Sequence, residues 1–269
     1  MEQVKETIHE AMDTLKQEKK TTSHKRGEKC DIHGCDLEQL VKGERGWNWD
    51  CPVCLDLQEK EKSKARIISQ EQEQIRQAHH DLCVPARFKE SSFSNYIAKG
   101  KVQISKNVCE KFVTSWPNAG GGLMLGGVGT GKTHLAYAMC KGLCDKGVSC
   151  CMTSVNKIVR HIRSAWGGGK KISGEWAGDD VVLTETDIIR QYNSYGLLVI
   201  DEIGSQYGTD SERIIINEII NNRYEQMLPT IVIGNLSISE TKDILGDRVV
   251  DRLRHDGFLL VFDWESHRG

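Results

Sequence analysis

The run Gly126-Gly127-Val128-Gly129-Thr130-Gly131-Lys132-Thr133 constrains this chain more than any other feature. It satisfies G-x-x-x-x-G-K-[ST] and stands between an apolar stretch, Leu123–Leu125, and a helix-like run that opens with His134. Glycines let main-chain N–H groups curl around phosphate oxygens at a helix N-terminus, where the dipole favours an anion. Lys132 is expected to neutralise the β- and γ-phosphates, and the Thr133 hydroxyl to reach Mg²⁺. Residues Gly126 to His134 form the candidate nucleotide cradle. A strand must enter this loop and a helix must leave it, so an α/β fold is already implied.

The rest of the sequence from Pro85 onward agrees. Candidate strands are Leu123–Leu125, Val148–Thr153, Leu197–Ile200, Thr230–Ile233 and Leu259–Phe262, with helical stretches starting near Lys132, Val155, Glu185, Asp210 and Ser239. That alternation predicts a parallel sheet covered on both faces. The apolar strand Leu197–Ile200 runs into Asp201-Glu202. Beside a phosphate loop, such a pair suits a magnesium-shell carboxylate followed by a general base that polarises water, which points to hydrolysis. Asn235 follows another strand, at the end where open parallel sheets place ligand contacts. In Gly246–Arg254, Arg248 and Arg252 share a helical face. They read either as a solvated basic surface or as an arginine reaching into a neighbour's nucleotide site.

The first fifth of the chain has a different texture. Cys30 and His33 form C-x₂-H, and Cys51 and Cys54 form C-x₂-C, a pairing that suits a tetrahedral structural Zn²⁺ site. Cys35 is an alternative to His33. Val4, Ile8, Ala11, Met12 and Leu15 lie on one face of a helix, which either packs on its own domain or binds a partner. Residues 57–80 are rich in Glu, Lys, Gln and Arg and read as a helical or flexible spacer. The expected division is residues 1–57 for the helix and zinc module, 58–84 for a charged helical linker, and 85–269 for the nucleotide domain. Cys140 and Cys144 read as buried structural cysteines, and Cys150 and Cys151 as neighbours on opposite faces of a strand.

Composition narrows the function classes. The net charge of −2 argues against binding duplex DNA by charge alone, so any nucleic-acid contact should be local. No stretch approaches the roughly 18 apolar residues of a membrane helix, and the acidic start is unlike a secretory signal. A soluble, cytoplasmic protein without membrane partners is expected.

Taken together, Gly126–Thr133, Asp201-Glu202-Ile203-Gly204, Asn235 and Gly246–Arg254 resemble the DnaC-type AAA+ ATPases, bacterial and phage loaders of the replicative DNA helicase. The similarity spans roughly residues 91–268, from Ser92-Phe93-Ser94-Asn95-Tyr96 to Phe262-Asp263-Trp264-Glu265-Ser266-His267-Arg268. It implies a P-loop AAA+ core of the ASCE type, with a five-stranded parallel sheet and no C-terminal lid, behind a small zinc-binding domain. It also implies ATP, Mg²⁺ and Zn²⁺ as cofactors. Asp201 and Glu202 would be the metal and catalytic carboxylates, Asn235 a first sensor, Arg252 an arginine finger acting in trans, and Arg268 a second sensor. Trp166 aligns roughly with an aromatic used against single-stranded DNA. Beside Lys170 it would stack on a base, although a Trp anchoring a helix end is the plainer alternative. The implied partners are a DnaB-type ring helicase, through the N-terminal module, single-stranded DNA, and further copies of the chain. The rival readings are an IstB-like transposition helper acting with a transposase on duplex DNA, and a non-enzymatic zinc module that recruits replication proteins.

Overall fold

The computed structural model describes residues 29–33, 38–43, 46–166, 170–172, 181–204 and 210–266. The expected helix over Val4–Leu15, Cys35 and Arg268 lie outside the described residues, as do the side chain of Lys170 and most of the insert after Trp166.

The chain divides into two units, Met1–Gln70 and Glu71–Gly269. In the first, β1 (Glu38–Gly43) and β2 (Gly46–Asp50) form an antiparallel pair whose register shifts between Gln39 and Val41. Helix α1 (Pro52–Leu82) starts directly after Cys51 and runs past the division. Its exposed ion pairs, such as Lys60–Asp56 and Arg76–Glu73, lie within the helix and contribute little to stability. Its last turns are different, because Ala78 and Leu82 are buried in the core of the second unit.

After a 3₁₀ turn (Ala86–Phe88) the second unit continues with α2 (Lys101–Thr114), β3 (Gly122–Gly126), α3 (Lys132–Cys144), β4 (Cys150–Ser154) and α4 (Val155–Arg163). A two-stranded antiparallel pair, β5 (Lys170–Ile172) and β6 (Val181–Leu183), precedes α5 (Glu185–Ser194). The remainder is β7 (Leu197–Ile203), α6 (Asp210–Glu225), β8 (Thr230–Gly234), α7 (Ile238–Leu245), α8 (Asp247–Arg254) and β9 (Phe258–Phe262). Strands β4-β7-β8-β3-β9 form one sheet, and every pair in it is parallel.

Strand periodicity explains why both faces of the sheet are covered. Leu123, Leu125, Leu198, Ile200 and Val232 enter one cluster with residues of α4, α5, α6 and α8. Met124, Leu197, Val199, Ile231 and Ile233 enter the other, with α2, α3 and the end of α1. Cys140, Cys144 and Cys150 belong to this second cluster while Cys151 packs on the first, so the cysteines serve as core residues on opposite faces.

Two expected strand limits move by more than one residue. Val148 is not in β4, because its N–H donates to Leu143 O while Gly147, at φ 75°, donates to Cys144 O. That is a Schellman closure of α3, which delays the strand to Cys150. Strand β7 runs on to Ile203, with a register shift against β8 between Ile200 and Ile203. Arg223 on α6 is fully buried, donating to Thr230 Oγ1 and to the carbonyls of Tyr192, Tyr195, Gly196 and Pro229. It ties the end of α5 to the sheet, as a cation at a helix C-terminus does. Burial pushes its pKa down to about 10, so it stays charged at neutral pH.

Candidate nucleotide and metal sites

The phosphate loop leaves β3 at Gly126 and enters α3 at Lys132. Both ends need glycine. Gly126 has φ 133°, and a Cβ there would lie 2.3 Å from Phe262 O; Gly131 has φ 95°, and its Cβ would meet the Tyr96 ring at 2.7 Å. The loop is pinned from outside, since Trp264 Nε1 donates to Thr130 O at 3.0 Å and Gly127 N to Phe262 O at 3.2 Å. Lys132 is 5% exposed and donates to Gly126 O at 2.8 Å and Gly127 O at 2.6 Å.

A cleft of about 370 Å³ opens over this loop. Val128 to His134, Asp201, Glu202 and Asn235 line it, so the structure brings together the loop and the three polar residues at the strand ends. Thr133 Oγ1 donates to Asp201 Oδ2 at 3.0 Å. An octahedral Mg²⁺ with oxygens at 2.0–2.1 Å has adjacent ligands about 2.9 Å apart, so these two oxygens fit one edge of its shell. Burial raises the pKa of Asp201, against the lowering effect of the Glu202 N–H and the Thr133 hydroxyl. Low dielectric without a neutralising cation costs a carboxylate in this way.

Glu202 has φ 61°, a left-handed conformation that costs a non-glycine residue roughly 1–2 kcal/mol. Its N–H donates to Asp201 Oδ1 at 2.7 Å, and the register shift of β7 falls at this pair. A bulge re-aims side chains at the end of a strand. Here it sets two successive carboxylates on the same cleft, which an undisturbed strand would send to opposite faces.

Three lining residues carried no motif: Arg87, Phe88 and Ser91. They belong to the segment before α2. The ring of Phe88 stacks on Tyr137 with centroids 4.9 Å apart and planes at 22°. His134, expected among the phosphate contacts, lines the cleft but has Nε2 3.0 Å from Ser92 O. Its ring therefore also serves this segment.

Two expected residues lie elsewhere. Arg252 on α8 is half-buried, donates to Asn221 Oδ1 and stacks over Tyr224 with its guanidinium carbon 5.0 Å from the ring centre. It does not line the cleft of its own chain. Trp166, just after α4, is 50% exposed and donates Nε1–H to Glu185 Oε2 at 2.8 Å. The indole thus ties the end of α4 to the first residue of α5 while half of its surface stays open.

In the first unit the donor atoms of Cys30, His33, Cys51 and Cys54 all lie within 4.8 Å of one another. Cys30 Sγ is 3.7 Å from Cys54 Sγ, and His33 Nδ1 is 3.6, 3.7 and 3.3 Å from the sulfurs of Cys30, Cys51 and Cys54. Zn–S of about 2.3 Å and Zn–N of about 2.0 Å give tetrahedral ligand edges of about 3.5–3.8 Å. The four side chains fit such an ion, with His33 beside the three sulfurs; Cys35, the alternative to His33, lies outside the described residues.

A family model described as IstB-like ATP binding protein matches residues 54–269. The chain belongs to this IstB-like ATP-binding family. Replicative helicase loader DnaC of Buchnera aphidicola subsp. Acyrthosiphon pisum (strain APS) is 32% identical over 183 residues, 66% of this chain and 69% of that protein. The protein of the same name from Escherichia coli (strain K12) is 31% identical over 180 residues, again 66% and 69%. A crystal structure of the DnaC helicase loader matches 66% of this chain and 99% of its own, with a TM-score of 0.56 at 24% identity. That likeness concerns the fold, the five-stranded parallel P-loop AAA+ core. Among the described residues of this IstB-like chain, no helix is long and apolar enough to cross a membrane.

Proposed function

We propose that this IstB-like chain is an ATP-dependent, cytoplasmic loader that delivers a DnaB-type replicative ring helicase onto single-stranded DNA. One observation carries the ATPase half of the reading: Thr133 and Asp201 meet at 3.0 Å on a cleft that Lys132, Glu202 and Asn235 also line. The loader half is supported by the relatives named replicative helicase loader DnaC.

ATP is the substrate. Main-chain N–H groups from Gly127 to Thr133 hold its phosphates, and Lys132 transfers its ammonium from loop carbonyls to phosphate oxygens. Thr133 and Asp201 hold Mg²⁺, which when bound neutralises charge on the β- and γ-phosphates. Glu202 orients the attacking water and accepts its proton on the carboxylate. The Asn235 amide donates to the γ-phosphate or steadies that water. Arg252 completes the site of a neighbouring copy, so an isolated subunit hydrolyses ATP slowly and self-association raises the rate. The Cys30, His33, Cys51 and Cys54 site holds a structural Zn²⁺ that folds the N-terminal module, and that module binds the helicase. Trp166 stacks on a base of the single strand, with Lys170 near a phosphate.

A second reading, in which the chain assists a transposase on duplex DNA, shares the family description, IstB-like ATP binding protein. The relatives named replicative helicase loader DnaC support loading over it.

Native mass spectrometry with a bacterial replicative helicase hexamer, with and without ATP, tests the choice. A defined complex with one zinc per loader subunit supports loading. If no plausible host helicase forms a complex while duplex DNA is bound, the transposition reading takes over. Glu202→Gln separates both from a non-enzymatic recruiter. Hydrolysis and biological activity that persist in this variant would remove the assigned role of Glu202.

A further inference from the structure

Helix α3 carries His134, Tyr137 and Lys141 at i, i+3 and i+7, one stripe on a helix whose other positions are largely core. All three side chains reach the same target, the segment from Phe88 to Ser92. His134 Nε2 lies 3.0 Å from Ser92 O, and the Tyr137 ring is stacked under Phe88. Lys141 Nζ donates to Phe88 O at 3.0 Å, to Ser91 O at 2.9 Å and to Lys89 O. An ammonium has three donors, and here three main-chain carbonyls take them.

Between Pro85 and α2 the chain has no regular element beyond a single 3₁₀ turn, Ala86–Phe88. Its position therefore depends on what grips it: Phe93 and Tyr96 pack in the core further on, and over Phe88–Ser92 the grip is the stripe on α3. The same segment puts Arg87, Phe88 and Ser91 on the cleft, whereas Lys141 does not line it. The P-loop, Asp201 and Glu202 account for the phosphate end of a nucleotide, which leaves these three residues to meet the nucleoside.

We propose that Lys141 is a positioning residue for nucleotide binding, fixing the Phe88–Ser91 main chain so that the wall of the cleft facing the nucleoside is formed before the nucleotide arrives. This rests on the ATP reading of the cleft. Pre-formed walls lower the ordering cost of binding, and they add nothing to a reaction step in which they take no part.

The full chain is assayed for ATP hydrolysis, in parallel with binding of a fluorescent ATP analogue. Lys141→Met is expected to raise KM and the analogue Kd about tenfold while kcat stays within about twofold. Trypsin is expected to cut after Arg87 or Lys89 faster in the variant than in the parent. Lys141→Gln, whose side chain is one atom shorter but still offers two N–H donors, should give the same split at smaller size and serves if the Met variant does not fold. An unchanged KM and Kd in a variant whose segment has loosened overturns the proposal, and so does a loss confined to kcat. Lys132→Ala is run beside these variants. If it leaves analogue binding intact, the ATP reading has failed, and the split in Lys141→Met carries no support for this role.

Discussion

The two units are held together by different physics. The sheet unit buries an apolar cluster on each face of five parallel strands, and its most deeply buried charge among the described residues, Arg223, donates to five oxygens. In the first unit the described core is Cys30 and Cys51 with Cys54 packed against them. Three sulfurs do not supply the hydrophobic free energy that a small fold needs, and metal coordination is the usual substitute. The sheet unit should therefore stand without a metal, and the first unit should not.

The largest effect expected follows from this contrast. Stripping zinc with a strong chelator, or changing Cys51→Ser, removes a contribution that for structural zinc is about 10–16 kcal/mol in apparent binding free energy. Hydrogen exchange should show residues 29–54 losing protection while β3, β7 and β8 keep theirs, and nucleotide affinity should stay within about twofold. Loss of protection across the sheet as well would mean that the two units fold as one. The mirror experiment is Lys132→Ala. Truncating one partner of a buried charge pair costs about 2–5 kcal/mol. Isothermal titration should show nucleotide affinity falling by that amount, with zinc content per chain unchanged.

The contrast also separates what the sequence discloses from what it hides. The P-loop, Asp201-Glu202 and Asn235 are legible because strand periodicity places their ends in register, and a parallel sheet brings those ends to one edge. The C-x₂-H and C-x₂-C pairs are legible because local spacing alone preforms half of a tetrahedron. What stays hidden depends on backbone detail or on distant packing. Nothing in Leu197–Gly204 announces that Glu202 adopts φ 61°, since propensities give glutamate no reason to be left-handed. Arg223 reads as a solvated helical arginine until its carbonyl acceptors are in place. Arg87, Phe88 and Ser91 have no motif, and their one signature is the polar stripe His134, Tyr137 and Lys141 on a helix whose positions after Thr133 are otherwise apolar or glycine. The charged stretch that reads as a spacer ends in Ala78 and Leu82, two small contributions to the core that charge counting overlooks.

A smaller effect tests the surface of the sheet unit. Trp166→Ala should weaken single-stranded DNA binding by about 1–3 kcal/mol, measured by fluorescence anisotropy, if a base stacks on the exposed ring. Glu185→Gln keeps an acceptor for the indole N–H but removes a negative charge beside the ring, so it should strengthen binding slightly. Unchanged affinity in Trp166→Ala would assign the DNA contact elsewhere.

The smallest effect concerns the cost of the site to the fold around it. Burial raises the Asp201 pKa above its unfolded value, so across the interval between the two the folded chain binds more protons than the unfolded one. Stability then falls as pH rises through that interval, and above it the full penalty is present. Asp201→Asn removes the charge and keeps an acceptor for the Glu202 N–H. Without nucleotide or Mg²⁺, the variant should melt higher than the parent at pH 7, with the difference closing below about pH 4, where Asp is protonated in both states. A gain on the order of 1 kcal/mol moves the midpoint of a domain of this size about 2–4 °C. The same variant should lose Mg²⁺-dependent nucleotide binding, the exchange of stability for function expected where a carboxylate is buried to meet a cation. Scanning calorimetry across pH decides it. A lower midpoint at pH 7 would show that the Thr133 and Glu202 hydrogen bonds more than offset burial, and that the Asp201 carboxylate stabilises the fold it was expected to strain.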